Sequence, residues 1–133
     1  MISISIIILA AIIMVTTIAM MRRKTGFSKH DQKFFHEKWV IITALVDHSP
    51  AQSVLEADKL LDLALHKLGF QGSFGEKLKR VGKVYFSHEQ QVWDAHKLRN
   101  QIAHEVGFQV SRERAQGAIS IFKQALRDLG LTV

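Results

Sequence analysis

The chain opens with an unbroken apolar stretch and then changes to short segments in which apolar and polar positions alternate with helical spacing. No residue from Met1 to Met21 is charged. A helix of about 20 such residues, at about 1.5 Å per residue, matches the hydrocarbon layer of a bilayer, which is about 30 Å thick. We therefore predict a transmembrane anchor over residues 1–21, embedded in the lipid bilayer through residues 2–21.

A basic cluster, Arg22, Arg23 and Lys24, follows the apolar stretch directly and opens a predicted tether over residues 22–27. Positive residues flank a membrane span on its cytoplasmic side. We therefore predict a single-pass protein of the cell membrane, with its N-terminus outside and its C-terminal domain in the cytoplasm. A cleaved signal peptide is the alternative, but it normally has basic residues before the apolar run and a small-residue cleavage site after it.

Residues 28–133 are divided by residue types that favour helix ends. A serine precedes each of five segments: Ser28, Ser49, Ser73, Ser87 and Ser111. A serine hydroxyl accepts hydrogen bonds from the first amides of a helix. Ser73 with Glu76 has the spacing of a capping box, and so has Ser87 with Gln90. We predict an all-α domain over these residues, a bundle of four or five helices.

Apolar periodicity supports the same division. The last segment carries an apolar stripe at intervals of three and four residues: Ala115, Ala118, Ile119, Phe122, Ala125, Leu126 and Leu129. A stripe of this kind is buried in a helical bundle. No segment shows the sustained alternation typical of strands.

Composition limits the chemistry that this domain can perform. The chain has no cysteine, which excludes disulfides, thiolate metal sites and thiol nucleophiles. It also has no His-Glu-x-x-His motif, and we predict neither a metal site nor a cofactor. Three of the 18 basic residues lie at positions 22–24, which leaves 15 against 12 acidic residues, or +3, for the rest. Charge alone therefore does not indicate a nucleic-acid binder.

The segment from Ser87 to Phe108 has two unlike faces on a helical wheel. Its apolar face is expected to pack into the core: Val92, Ala95, Leu98, Ile102 and Val106. On the opposite side, Trp93, Lys97, Asn100 and His104 follow one another at helical spacing, with His96 alongside. Such a stripe suits a ligand or a partner. The alternative is that Trp93 packs under a loop and the polar groups are solvated.

Arg99 falls inside the apolar sector, about 140° from His104 on an ideal helix. A guanidinium near a core requires a partner. The second segment supplies three acids, Glu56, Asp58 and Asp62, and a structural ion pair is one interpretation of Arg99.

A second basic feature lies at residues 76–83, where Lys79, Arg80 and Lys83 could contact phosphates. A solvated helix face is the more ordinary interpretation, since Leu78 and Val81 keep an amphipathic register.

The residues Arg99-Asn100-Gln101-Ile102-Ala103-His104 resemble the motif of the HEPN superfamily, in which an arginine and a polar residue precede a histidine late in a helix. The resemblance covers about residues 28–131, and its specific part is these six residues. It implies a small helical bundle that is either a metal-independent endoribonuclease or a catalytically silent module that binds RNA or a nucleotide. It also implies a homodimer in which two motifs meet.

These residue types suit RNA cleavage without a metal. An imidazole such as that of His104 can accept the proton of a ribose 2′-hydroxyl. A guanidinium such as that of Arg99 can stabilise the charge that develops on phosphorus, and Asn100 can orient the imidazole. Because the net charge is low, we favour a non-catalytic module that binds RNA, a nucleotide, a protein or a second copy. The alternative is an endoribonuclease that uses Arg99 and His104 in a composite dimer site.

Overall fold

α-Helices account for all the regular secondary structure in the part of the chain that the structure describes. This structure is a computed structural model; it describes residues 4–24 and 26–133, with side chains at 4–18 and 26–133. Six helices cover these ranges: α1 (Ile4–Lys24), α2 (Lys29–Leu45), α3 (Pro50–Lys67), α4 (Phe74–Tyr85), α5 (Glu89–His104) and α6 (Arg112–Asp128). The predicted all-α class and the five helices after residue 28 are confirmed.

Serine capping begins three of these helices. Ser28 and Ser73 each take part in a capping box, and the hydroxyl of Ser111 accepts a hydrogen bond from the amide of Arg114. Ser49 makes no side-chain cap, but Pro50 follows it at the first position of α3. These local bonds satisfy amides that would otherwise lack partners at helix starts.

The predicted capping box of Ser87 and Gln90 is wrong. The residue that precedes α5 is His88, which makes no side-chain cap. Ser87 instead donates from its amide and its hydroxyl to Oδ2 of Asp128, at 2.9 and 2.8 Å. The carboxylate of Asp128, at the end of α6, is a charged acceptor for both donors of Ser87. These two bonds keep the Ser87 hydroxyl from capping the α5 amides.

The central element is α3, which packs against α2, α4, α5 and α6. Its side chains Val54, Leu61 and Leu65 are fully buried, in one core cluster with Phe35 of α2 and Phe122 of α6. Burying each of these large side chains stabilises the fold by about 1.5–3 kcal/mol. Because α3 is enclosed on several sides, any polar residue on its inner face must find its partners within the protein.

The prediction of a membrane anchor over residues 1–21 is wrong. Within residues 4–24 and 26–133, none of the helices combines the length and the apolar character needed to cross a membrane. This finding also overturns the single-pass, N-outside orientation and the cell-membrane localisation. Residues 1–3 of the anchor and residue 25 of the tether lie outside the described residues.

Candidate functional site

An aspartate on the inner face of α3 organises the polar cluster of the domain. Asp58 lies one turn from Val54 and one from Leu61, both buried, and only 3% of Asp58 is exposed. Residues three and four apart share a helix face, so the carboxylate points into the core. A buried carboxylate must be hydrogen-bonded or paired, and both partners of Asp58 come from α5.

The imidazole of His96 is fixed between this acid and two aromatic rings. Its Nδ1 lies 2.8 Å from Oδ1 of Asp58. The ring meets Phe74 edge to face at 4.7 Å between centroids, and Trp93 at 6.3 Å. Its other nitrogen, Nε2, lies 3.4 Å from Nδ2 of Asn100. With both nitrogens and a ring face occupied, the imidazole has one defined orientation.

Arg99 is the second partner of Asp58. Its Nε lies 3.4 Å from Oδ2 of Asp58, an ion-pair distance, and this Nε is buried without a hydrogen bond. Its Nη1 donates to Oδ1 of Asn100 at 3.1 Å. The expected ion pair between Arg99 and one of the three α3 acids is therefore confirmed, with Asp58 as the acid.

The charges of the cluster determine the ionisation of Asp58. Burial is the largest influence, and it raises the pKa of this carboxyl above its ordinary value. The hydrogen bond and charge of His96 and the charge of Arg99 act in the opposite direction and lower the pKa. The two neighbours from α5 thus favour the ionised form of Asp58 against the effect of burial.

A cleft of about 430 Å³ opens beside this cluster, between α3, the start of α4, and α5. Its wall comprises Asp58, Lys59, Asp62, Ser73, Phe74, Gly75, His96 and Arg99. Asp62 is neutralised by Lys77 of α4, whose Nζ lies 2.9 Å away and whose side chain is almost fully buried. Cationic and anionic groups are balanced in the cleft, which therefore presents individual hydrogen-bond donors and not a strong field.

The structure separates the residues of the Arg-Asn-x-x-x-His motif. Arg99 and Asn100 are half-buried and bonded to each other, whereas His104 is exposed in the last turn of α5. Because α5 is helical through His104, the two side chains leave the helix about 140° apart. The helix does not loosen between them. The predicted role of His104 as base, with Arg99 as its partner, stays a prediction and needs a second copy.

The exposed cations predicted as partner-binding residues lie on α4 and α5. Lys79, Arg80, Lys83 and Lys97 are all exposed, and Trp93 is half-buried. We call these five residues the α4–α5 surface. A second cleft, of about 750 Å³, includes Lys83 and Trp93 in its wall.

The cations of this surface differ in the contacts that they make with the rest of the protein. Among the residues that the structure describes, Lys79, Lys83 and Lys97 form no ion pair. Arg80 uses Nη1 to donate to the carbonyl of Gln71 at 3.1 Å. Gly82 interrupts α4 with φ +34°, a conformation that favours glycine, so Lys83 does not continue the helical register of Lys79.

Sequence reasoning missed the bond between Asp58 and His96, which joins residues 38 positions apart. A signal was nevertheless present, because an aspartate interrupts the apolar stripe of α3 at a position that shares its face. Compared with models of known protein families, with curated proteins and with solved structures, the chain matches none. The HEPN resemblance thus rests only on the motif residues.

Proposed function

We propose that residues 28–133 form a non-catalytic, HEPN-like module that binds single-stranded RNA on the α4–α5 surface. The observation that carries this proposal is the cleft of about 750 Å³ whose wall holds the exposed, unpaired Lys83 and the half-buried ring of Trp93. Cations that track a phosphate backbone beside an aromatic ring are the usual elements of single-strand recognition. Binding of this kind does not require a strongly basic domain, because a few local contacts suffice.

The state of Arg99 supports the non-catalytic part of the proposal. Its guanidinium is engaged by Asp58 and Asn100, and His104 leaves the helix in another direction. Two groups that act on one scissile phosphate must reach the same few ångströms. Within one chain, Arg99 and His104 do not meet that requirement.

RNA binding is tested with the full chain and a fluorescein-labelled single-stranded RNA, by fluorescence anisotropy in EDTA. The variant Lys79→Gln/Arg80→Gln/Lys83→Gln is expected to weaken binding by about tenfold or more. The matched control removes three exposed cations from α2, as Lys29→Gln/Lys33→Gln/Lys38→Gln, and is expected to bind nearly as the parent does. Equal losses in the two triple variants would show that only net charge matters and would overturn the proposed surface.

A second candidate function is metal-independent cleavage of RNA by a homodimer. It is supported by the exposure of His104, which leaves the imidazole open to Arg99 of a second copy. Cleavage in EDTA that disappears in both Arg99→Ala and His104→Ala, and returns when the two variants are mixed, would establish this function. Intact RNA under the same conditions supports the non-catalytic module.

A further inference from the structure

Four side chains of α3 and α5 form a closed ring beside the first cleft. Asp58 meets His96 at 2.8 Å, and His96 meets Asn100 at 3.4 Å. Asn100 meets Arg99 at 3.1 Å, and Arg99 returns to the second oxygen of Asp58 at 3.4 Å. Each of the four residues thus has two neighbours within the ring.

The chemistry of the groups fixes the direction of the three hydrogen bonds in this ring, whereas the fourth contact, between Nε of Arg99 and Asp58, is an ion pair without a hydrogen bond. A guanidinium can only donate, so the atom of Asn100 that faces Arg99 is its carbonyl oxygen. The amide NH₂ of Asn100 then faces Nε2 of His96, and Nε2 must accept. The imidazole proton therefore sits on Nδ1 and is donated to Asp58. These three hydrogen bonds exist together only while His96 is neutral and in this tautomer.

We propose that protonation of His96 opens the ring and frees the guanidinium of Arg99 to bind a phosphate of RNA in the cleft. This role of Arg99 rests on the proposed RNA binding and adds to it a proton-dependent contact. A lower pH favours protonation of the imidazole, so the contact is expected to form as the pH falls. Asp58, His96 and Asn100 act here as positioning residues.

A second proton on His96 disturbs the ring at two bonds. The new Nε2–H points at the NH₂ of Asn100, and two donors cannot bond. Asn100 must turn its carbonyl to His96, and Arg99 then loses its acceptor. In addition, the positive charges of His96 and Arg99 now share the single negative charge of Asp58, which weakens the hold on Arg99.

The cleft has few charged groups besides those of the ring. They are Lys59 and Asp62 of α3, with Lys77 of α4 paired to Asp62. No residue of α6 contributes to the cleft wall. Because burial raises the pKa of Asp58, this carboxyl needs a cationic neighbour to stay ionised. A charged His96 meets that need in place of Arg99.

The binding experiment uses the full chain and a fluorescein-labelled oligouridylate at about pH 7.5 and about pH 5.5. The parent is expected to gain about tenfold in affinity at the lower pH, the scale of one charge-assisted contact. His96→Gln and Arg99→Ala are both expected to lose this gain. His30→Gln removes an exposed imidazole from α2 and is expected to keep it. A gain in His96→Gln equal to that of the parent would overturn the proposal.

The ring itself is tested by NMR of the full chain without RNA. Long-range ¹H–¹⁵N spectra are expected to show the Nδ1–H tautomer of His96 at about pH 7.5 and a shift of the Arg99 Nε–H signal as His96 is protonated. The proposal would be overturned if the folded protein showed the Nε2–H tautomer of His96, or if the Arg99 signal did not move when His96 is protonated. If these signals behave as expected but no variant binds RNA, the proposed function fails and the proton-dependent ring stands.

Discussion

Two successive turns of α5 hold polar residues of similar chemistry in opposite circumstances. In the middle turn, His96, Arg99 and Asn100 find their partners within the chain, and all three are partly withdrawn from solvent. In the last turn, Gln101 and His104 are exposed. The difference arises because the middle turn lies against Asp58 of α3. A short motif can therefore be divided between a residue that maintains the fold and one that remains free at the surface.

The largest expected effect comes from the acid beneath the middle turn. Asp58→Ala removes the common partner of His96 and Arg99, so that His96 loses its hydrogen-bond acceptor and Arg99 loses its ion pair. We expect a loss of about 3 kcal/mol in the free energy of unfolding, as for other broken buried pairs. Urea denaturation followed by circular dichroism measures it. Glu56→Ala, on the same helix, removes an acid that pairs with exposed Lys59 and is expected to lose less than about 1 kcal/mol. Similar losses in both variants would contradict the central role of Asp58.

A direct comparison of the two turns uses the motif residues themselves. Arg99→Ala is expected to lower the free energy of unfolding by about 2 kcal/mol, because a bond to a charged partner is lost. His104→Ala is expected to change it by no more than about 0.5 kcal/mol. Thermal unfolding of both variants gives the order. A His104 variant less stable than the Arg99 variant would show that the last turn is held more tightly than the middle one.

The fold could be predicted from local signals to a large extent. The capping serines Ser28, Ser73 and Ser111 and the apolar stripes mark the helices without reference to distant residues. The errors lie where distant residues or helix ends decide. Ser87 bonds to Asp128, 41 positions away, and Val106 is fully exposed because α5 ends at His104.

The candidate site could be predicted only in part, for the same reason. The position of Arg99 in an apolar sector required an acid from α3, and the structure supplies Asp58. Sequence spacing could not reveal that the same acid binds His96, since this bond depends on how α3 and α5 pack. The angle between Arg99 and His104 follows from helix geometry alone.

The exposed cations of the α4–α5 surface are tested by the salt dependence of RNA binding. For single strands, the slope of log affinity against log salt concentration falls by about 0.7 for each phosphate contact removed. We expect Lys83→Gln and Lys97→Gln each to reduce the slope by about this amount, because both cations are exposed and unpaired. Lys33→Gln, on α2, is expected to leave the slope unchanged. An identical slope in all three variants would contradict phosphate contact at the α4–α5 surface.

The smallest expected effect concerns Asp31, an acid near the solvent whose pKa is shifted in the opposite direction to that of Asp58. The side chain of Lys67, followed by Ser28, lowers the pKa of Asp31 from 3.8 to about 2. Burial shifts the pKa of Asp58 in the opposite direction. An acid with a lowered pKa contributes stability above its unfolded value, and the contribution is lost as pH falls through the folded value.

Asp31→Asn is therefore expected to lower the melting temperature at neutral pH, and the gap to the parent is expected to close between about pH 4 and about pH 2. Thermal melts across this range measure the gap. Glu37→Gln, on the same helix, removes an exposed acid 3.9 Å from Lys33 and serves as the control, with little change expected at any pH. A gap for Asp31→Asn that widens as pH falls would mean that Asp31 resembles the buried acid and not the capping one.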